Sequence, residues 1–374
     1  MNLIKKRGKY TVWILISIII LCVIIAICNI LPPSLGKMPL FYDYNGNVIS
    51  GSLSEKTYID VDGTELGILI TGKDKTKPVL LFLGGGPGIP EYLLEHKYPT
   101  GLANDFVVCY LEYRGTSISY NSDMKAAQMT TDRYLCDVVA VTEYLKERFS
   151  QEKIYLMGHS FGTFIGIQAA YQHPELFHAY IAMSQLTNQR ESEKIAYQFM
   201  TEQYRLAGNS KMVKEFENHQ ISSSAEAYQK YFSSSLRDNA MHNLGIGTTM
   251  KMNSVITGIF LPSLRCTVYT PIERINIWRS KVFISSSPVA LERTLFNTFD
   301  EISSLDIPVY FFGGIYDYTC CYSLQKKYYE FIKAPIKGFY SFDNSAHSPL
   351  FEEPAKAIEI FKKDVLKGNN SLSD

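Results

Sequence analysis

Ser160 stands in Gly158-His159-Ser160-Phe161-Gly162, with an apolar run before it and a helix-like stretch after it. A serine between two close glycines on a sharp strand-to-helix turn can act as a nucleophile. The turn lifts its hydroxyl above a sheet, and side chains at Gly158 and Gly162 would collide with neighbouring elements. The next helix begins there, so its dipole and the free N–H of Phe161 favour negative charge on a substrate oxygen. A serine needs a base within hydrogen-bond reach, and the base needs an orienting acid.

His347 is the base to expect. It lies in Asn344-Ser345-Ala346-His347-Ser348-Pro349, on the loop after the last strand-like run. His96, His173, His178, His219 and His242 fall in helical or inserted contexts, and His159 adjoins the serine and points elsewhere. Asp317 is the acid to expect, in Gly313-Gly314-Ile315-Tyr316-Asp317 after the run Val309 to Phe312. Asp306 precedes that strand and belongs to the wrong edge; Asp343 is the competitor. A second glycine cluster, Gly84-Gly85-Gly86-Pro87-Gly88, follows the run Val79 to Leu83. It lacks the Lys-Ser/Thr of a phosphate loop. Backbone N–H groups of Gly85 or Gly86 are instead expected to form the second wall of an oxyanion hole.

These motifs need a sheet to carry them. Apolar runs at Val79–Leu83, Phe106–Leu111, Lys153–Met157 and Ala179–Met183 alternate with helix signals. Among the latter is Thr131 to Phe149, where Leu135, Val138, Val139, Val141 and Leu145 share related faces. Lys56–Val61 and Glu65–Thr71 flank an Asp62-Gly63 hairpin turn. The alternation stops near Gln185 and resumes at Val309, with a helix at Ser323–Ile332, a strand at Phe339–Phe342 and a closing helix at Ala355–Leu366. Such a pattern predicts a mostly parallel sheet with helices on both faces and a long helical insertion over the strand ends.

The motifs LGGGPG, EYRG, GHSFG, GGIYD and AHSP together resemble the proline iminopeptidase group of α/β-hydrolases, over about residues 56 to 366. That resemblance implies an α/β-hydrolase fold with an inserted helical cap. It also implies nucleophile, acid and base roles for Ser160, Asp317 and His347, with Gly85, Gly86 and Phe161 at the oxyanion hole. Gly84 replaces the family's histidine, and Glu112-Tyr113 replace its Asp-Gln. Family aminopeptidases hold the substrate's free amine with acidic cap residues; Glu191, Glu193 and Glu202 are available here and read as solvated helix-face charges. The activity implied is that of a serine aminopeptidase on short peptides. A carboxylic ester hydrolase is the alternative, and a non-catalytic binding scaffold is the reading from another class. The mechanism calls for no metal and no organic cofactor.

The chain has 374 residues, 46% of them hydrophobic and 20% charged, and no formal net charge. It carries no basic excess of the kind that marks nucleic-acid binding. Val12 to Leu31 is almost wholly apolar and, as a helix, about 30 Å long, enough to cross a hydrocarbon core. Lys5, Lys6, Arg7 and Lys9 precede it, so the positive-inside rule predicts a single-pass cell-membrane anchor with the catalytic part outside the cytoplasm. A cleaved signal peptide is the rival, but Pro32 and Pro33 close the segment where a small-residue cleavage site would be expected. The expected organisation is a cytoplasmic N-terminus (1–11), the anchor (12–31), a linker and first strands (32–55), hydrolase core (56–186 and 305–368) and a cap insertion (187–304). Seven cysteines without zinc-ligand spacing read mostly as small buried hydrophobes.

Overall fold

The computed structural model describes residues 2–221, 225–232 and 234–374. Met1 and residues 222–224 and 233, part of the expected 187–304 insertion, lie outside them. One eight-stranded sheet organises the chain, in the order β1-β2-β4-β3-β5-β6-β7-β8. Its strands are β1 (Leu53–Val61), β2 (Thr64–Gly72), β3 (Val79–Leu83), β4 (Val107–Leu111), β5 (Ile154–His159), β6 (Phe177–Met183), β7 (Val309–Gly314) and β8 (Lys337–Phe342). The first two pair antiparallel with each other, and β2 pairs antiparallel with β4; every later pairing is parallel.

Local chemistry accounts for the elements. Asp62 and Gly63 both take positive φ, 52° and 73°, which closes a two-residue hairpin whose twist matches its strands. All residues of β3 and β4 are buried, as strands covered on both faces must be, so they read as continuous apolar runs. The helix Thr131–Phe149 starts on the Thr130 side chain, which accepts from the Arg133 N–H. It buries Leu135, Val138, Val141 and Leu145, while Val139 is only partly buried and lies at the stripe's margin.

Two apolar clusters lie on opposite faces of the sheet. One packs β-strand residues such as Leu81 and Leu156 against the helices Thr131–Phe149 and Phe161–Gln172; the other packs Leu80, Phe82 and Met157 against the C-terminal helix Pro354–Lys363. Between β6 and β7 the described residues contain helices and no named strand. The segment expected as a linker is tied down: Arg274 Nη1 donates to the Pro32 carbonyl at 2.7 Å, and Met38 is buried.

The N-terminal helix Asn2–Ile30 includes a stretch, Trp13–Ile30, with mean hydropathy 3.0. It is long and apolar enough to cross a membrane, and a signal sequence has the same properties. Among the described residues the cysteines form no disulfide; Cys109, Cys266, Cys320 and Cys321 are buried, and Cys22, Cys28 and Cys136 are exposed.

Candidate active site

Ser160 joins β5 to the helix Phe161–Gln172 with φ 53° and ψ −116°, a backbone state that a side-chain-bearing residue rarely holds. Its surroundings leave little choice. A Cβ on Gly162 would lie 2.0 Å from the Leu83 carbonyl oxygen, and one on Gly158 would lie 2.6 Å from the Gly162 oxygen. Both glycines are required by close backbone approach, as the motif predicts.

Asp317 and His347 meet on neighbouring loops, after β7 and β8. His347 Nδ1 lies 3.0 and 3.1 Å from the two oxygens of Asp317, and both side chains are buried. Asp317 also accepts from the N–H groups of Thr319 and Cys320 and from Gln325 Nε2, at 2.9, 3.0 and 3.0 Å. Burial pushes its pKa up, but the facing His347, the Cys320 N–H and Ser184 outweigh burial and hold it below the ordinary carboxylate value. An ionised Asp317 accepts the Nδ1 proton, which leaves Nε2 of His347 as a lone-pair acceptor. Asp343, the competing acid, is exposed beside Lys356 and takes no part.

Other contacts fix the loop around the base. The His347 carbonyl accepts from Ser184 Oγ at 2.9 Å and lies 2.8 Å from His159 Nε2. Glu352 accepts from the N–H of Ala346 at 2.9 Å and from that of Met250 at 2.7 Å. The Ser160 hydroxyl forms no hydrogen bond to His347 among the described residues.

The glycine loop packs against the elbow. A Cβ on Gly85 would sit 3.4 Å from Ser160 Cβ. The Gly85 N–H, however, donates to Glu91 Oε2 at 3.0 Å. It is committed to that carboxylate, which corrects the expectation that it serves an oxyanion. Phe161 opens its helix, so its N–H has no intrahelical acceptor, and the N–H of Gly86 finds no acceptor among the described residues.

Glu193 is also corrected. It is fully buried rather than solvated, and Arg237 grips both its oxygens at 2.7 and 2.5 Å while Gln189 Nε2 donates at 2.8 Å. Glu191 and Glu202 pair with Lys194 and Arg205 at the surface, as expected of helix-face charges. The helices between β6 and β7 reach the site's loops. Gln189 Nε2 donates to the Thr319 carbonyl at 3.1 Å, and Arg293 Nη1 donates to the Gly86 carbonyl at 3.3 Å. Among the described residues no group of three or more His, Cys, Asp or Glu side chains is placed to hold a metal ion.

Glu91, Ser184 and Glu352 were not singled out from the sequence. A histidine at the buried end of a strand, His159, needs a hydrogen-bond partner, but nothing local in the sequence singles out Glu91, 68 residues away, as that partner.

Comparison with known proteins agrees with this architecture. Residues 78–354 match the family described as the alpha/beta hydrolase fold. The chain is 28% identical over 297 residues, 79% of its own length and 92% of the relative's, to the probable aminopeptidase YbaC of Bacillus subtilis (strain 168). A proline iminopeptidase from Mycobacterium smegmatis superposes with a TM-score of 0.58 at 14% identity, covering 84% of this chain and 98% of that one. A thermophilic esterase from Thermogutta terrifontis superposes with a TM-score of 0.53 at 15% identity, covering 84% and 99%.

Proposed function

The chain belongs to the alpha/beta hydrolase fold family, and from that premise we propose that it is a serine hydrolase working through an acyl-enzyme. Ser160 Oγ rotates toward His347 Nε2, gives up its proton and attacks a substrate carbonyl. Asp317 fixes the imidazole and stabilises its positive charge. The N–H groups of Phe161 and Gly86 receive the oxyanion. His347 then protonates the leaving group, and water releases the acyl group by the reverse sequence. The observation that carries this reading is the Asp317–His347 hydrogen bond on loops beside a serine held at positive φ. Apo sites commonly leave the serine–histidine bond to form with substrate.

The substrate class favoured is a short peptide cleaved at its N-terminus, supported by the LGGGPG and EYRG motifs and by the curated relative. One observation favours an ester instead: Glu193, the buried acid of the helical segment, is already neutralised by Arg237 and so is not an unpaired carboxylate for a substrate ammonium. Rates on proline-, alanine- and leucine-linked fluorogenic amides, set beside p-nitrophenyl esters, separate the two. Ser160→Ala should abolish whichever activity is found; undiminished hydrolysis by that variant refutes the mechanism.

The helices between β6 and β7 act in this reading as a cap that shapes the substrate pocket. The apolar N-terminal helix is a single-pass membrane anchor, supported by the preceding Lys5, Lys6, Arg7 and Lys9, which favour a cytoplasmic N-terminus and an outward-facing hydrolase. Retention in the membrane pellet after alkaline carbonate, with the C-terminal part digested by protease added to intact spheroplasts, is the expected result. Release of a shortened soluble chain contradicts it.

A further inference from the structure

Three segments that must keep their places for acyl transfer share one buried pair. Glu91 lies just beyond the glycine loop, and His159 ends β5 immediately before the nucleophile. Their side chains are 4% exposed each, and Glu91 Oε1 lies 2.8 Å from His159 Nδ1. The second carboxylate oxygen accepts the Gly85 N–H at 3.0 Å. On the far side of the ring, His159 Nε2 lies 2.8 Å from the His347 carbonyl oxygen. A carbonyl only accepts, so that nitrogen carries a proton. The rings of His159 and His347 stand 5.0 Å apart, centroid to centroid. A chain of polar contacts therefore runs from the glycine loop, through Glu91 and His159, to the backbone of the base.

We propose that the buried Glu91–His159 pair is a positioning device of the hydrolytic site, holding the glycine loop and the base loop in register with Ser160; this rests on the acyl-transfer reading above. Apolar side chains of similar size would fill the space. They could not bind the Gly85 N–H and the His347 carbonyl together, because one end must accept and the other donate. One proton shared between Glu91 Oε1 and His159 Nδ1, and another on His159 Nε2 facing the carbonyl, satisfy both ends. Burial disfavours a charge on the ring, but the Glu91 carboxylate and the His347 carbonyl together raise the pKa of His159. Neither side chain touches the reacting atoms, so the pair acts through Gly85 and His347. A misplacement of about 1 Å at such a site costs on the order of a hundredfold in rate.

The test compares wild type with His159→Leu, His159→Gln and Glu91→Gln. It measures kcat and KM on one p-nitrophenyl ester, the rate of fluorophosphonate labelling, and the thermal midpoint. Glutamine at 159 keeps an N–H that reaches toward the carbonyl; leucine does not. The expected result is a fall in kcat of about tenfold or more for His159→Leu, with KM within about twofold, and recovery of much of that loss by His159→Gln. Labelling should slow in parallel. If His159→Leu does not fold, Glu91→Gln carries the same comparison, with loss of kcat expected at a nearly constant KM. A folded His159→Leu or Glu91→Gln that labels and turns over like wild type overturns the proposal while leaving the mechanism standing. A change confined to the thermal midpoint, or to KM, overturns it equally. Wild-type protein that ignores the probe refutes the acyl-transfer reading itself, and the proposal with it.

Discussion

At Gly162 the helix behind the nucleophile comes so close to β3 that a methyl group would lie 2.0 Å from a carbonyl oxygen, whereas at Glu193, in the helices between β6 and β7, the space is filled by two opposite charges. The first region is fixed by backbone contact and strand register. The second is fixed by side chains that find partners across the segment: Glu193 with Arg237, and Arg293 with the Gly86 carbonyl. Backbone contact admits one residue type and tolerates no drift. Charge pairing fixes which partner sits where, but contributes little net stability, because burying both ions offsets their attraction. The sheet edge therefore leaves no room for substitution at Gly162, whereas the helical segment is held by side-chain pairs that other complementary side chains could replace.

The largest expected effect lies at the edge. Asp317→Asn keeps the shape but removes the charge and puts an NH2 donor beside His347, favouring the wrong tautomer, and kcat should fall by about 10⁴-fold with the fold intact. A loss smaller than about tenfold in steady-state assays removes Asp317 from the mechanism. Gly162→Ala comes next. The added carbon has nowhere to go, so the elbow must open and stability should drop by more than about 3 kcal/mol in urea unfolding. An alanine variant of wild-type stability and activity would erase the contrast between the two regions.

Arg237→Met acts on the helical segment instead. It strands the Glu193 carboxylate in a buried site and should cost about 3–5 kcal/mol of stability. Protein that remains folded should still hydrolyse a small p-nitrophenyl ester within about threefold of wild type while its preference among peptide substrates changes. If small-ester hydrolysis disappears from folded protein, the helical segment is part of the catalytic machinery.

The smallest effect concerns Glu112, which is buried at the end of β4 and accepts from Tyr269 Oη at 2.8 Å. Burial is the main cause that raises its pKa from 4.5 to about 7. The folded protein therefore holds a proton there that the unfolded chain gives up above about pH 4.5. That stabilisation is full below the ordinary carboxylate value and is lost as pH rises toward 7, by about 3 kcal/mol at most. Glu112→Gln should flatten this decline in urea midpoints measured between pH 5 and 8. A slope unchanged in the variant assigns the decline to other groups.

Much of the sheet edge was legible in the sequence because its constraints fall on residue type at close spacing. Gly158 and Gly162 announce the tight approach on either side of Ser160. Gly313-Gly314 announce the exit of β7: a Cβ on Gly314 would lie 2.0 Å from the Ala346 carbonyl oxygen, on the loop of the base. The five-residue runs of β3 and β4 show burial on both faces. What escaped depends on pairing at a distance. Glu91 is 68 residues from His159 in the chain, and Glu193 is 44 from Arg237. No local pattern distinguishes a glutamate that will be buried against a partner from one that will face water. The same gap explains Gly85, whose type suits an oxyanion loop but whose N–H is taken by a carboxylate that only the folded chain brings near.

Covalent trapping tests the central claim most directly. Purified protein treated with a fluorophosphonate should gain one adduct, located by peptide mass spectrometry on Ser160, and His347→Ala should label at least about a hundredfold more slowly. An adduct on any other residue, or equal labelling of the His347→Ala variant, contradicts the account.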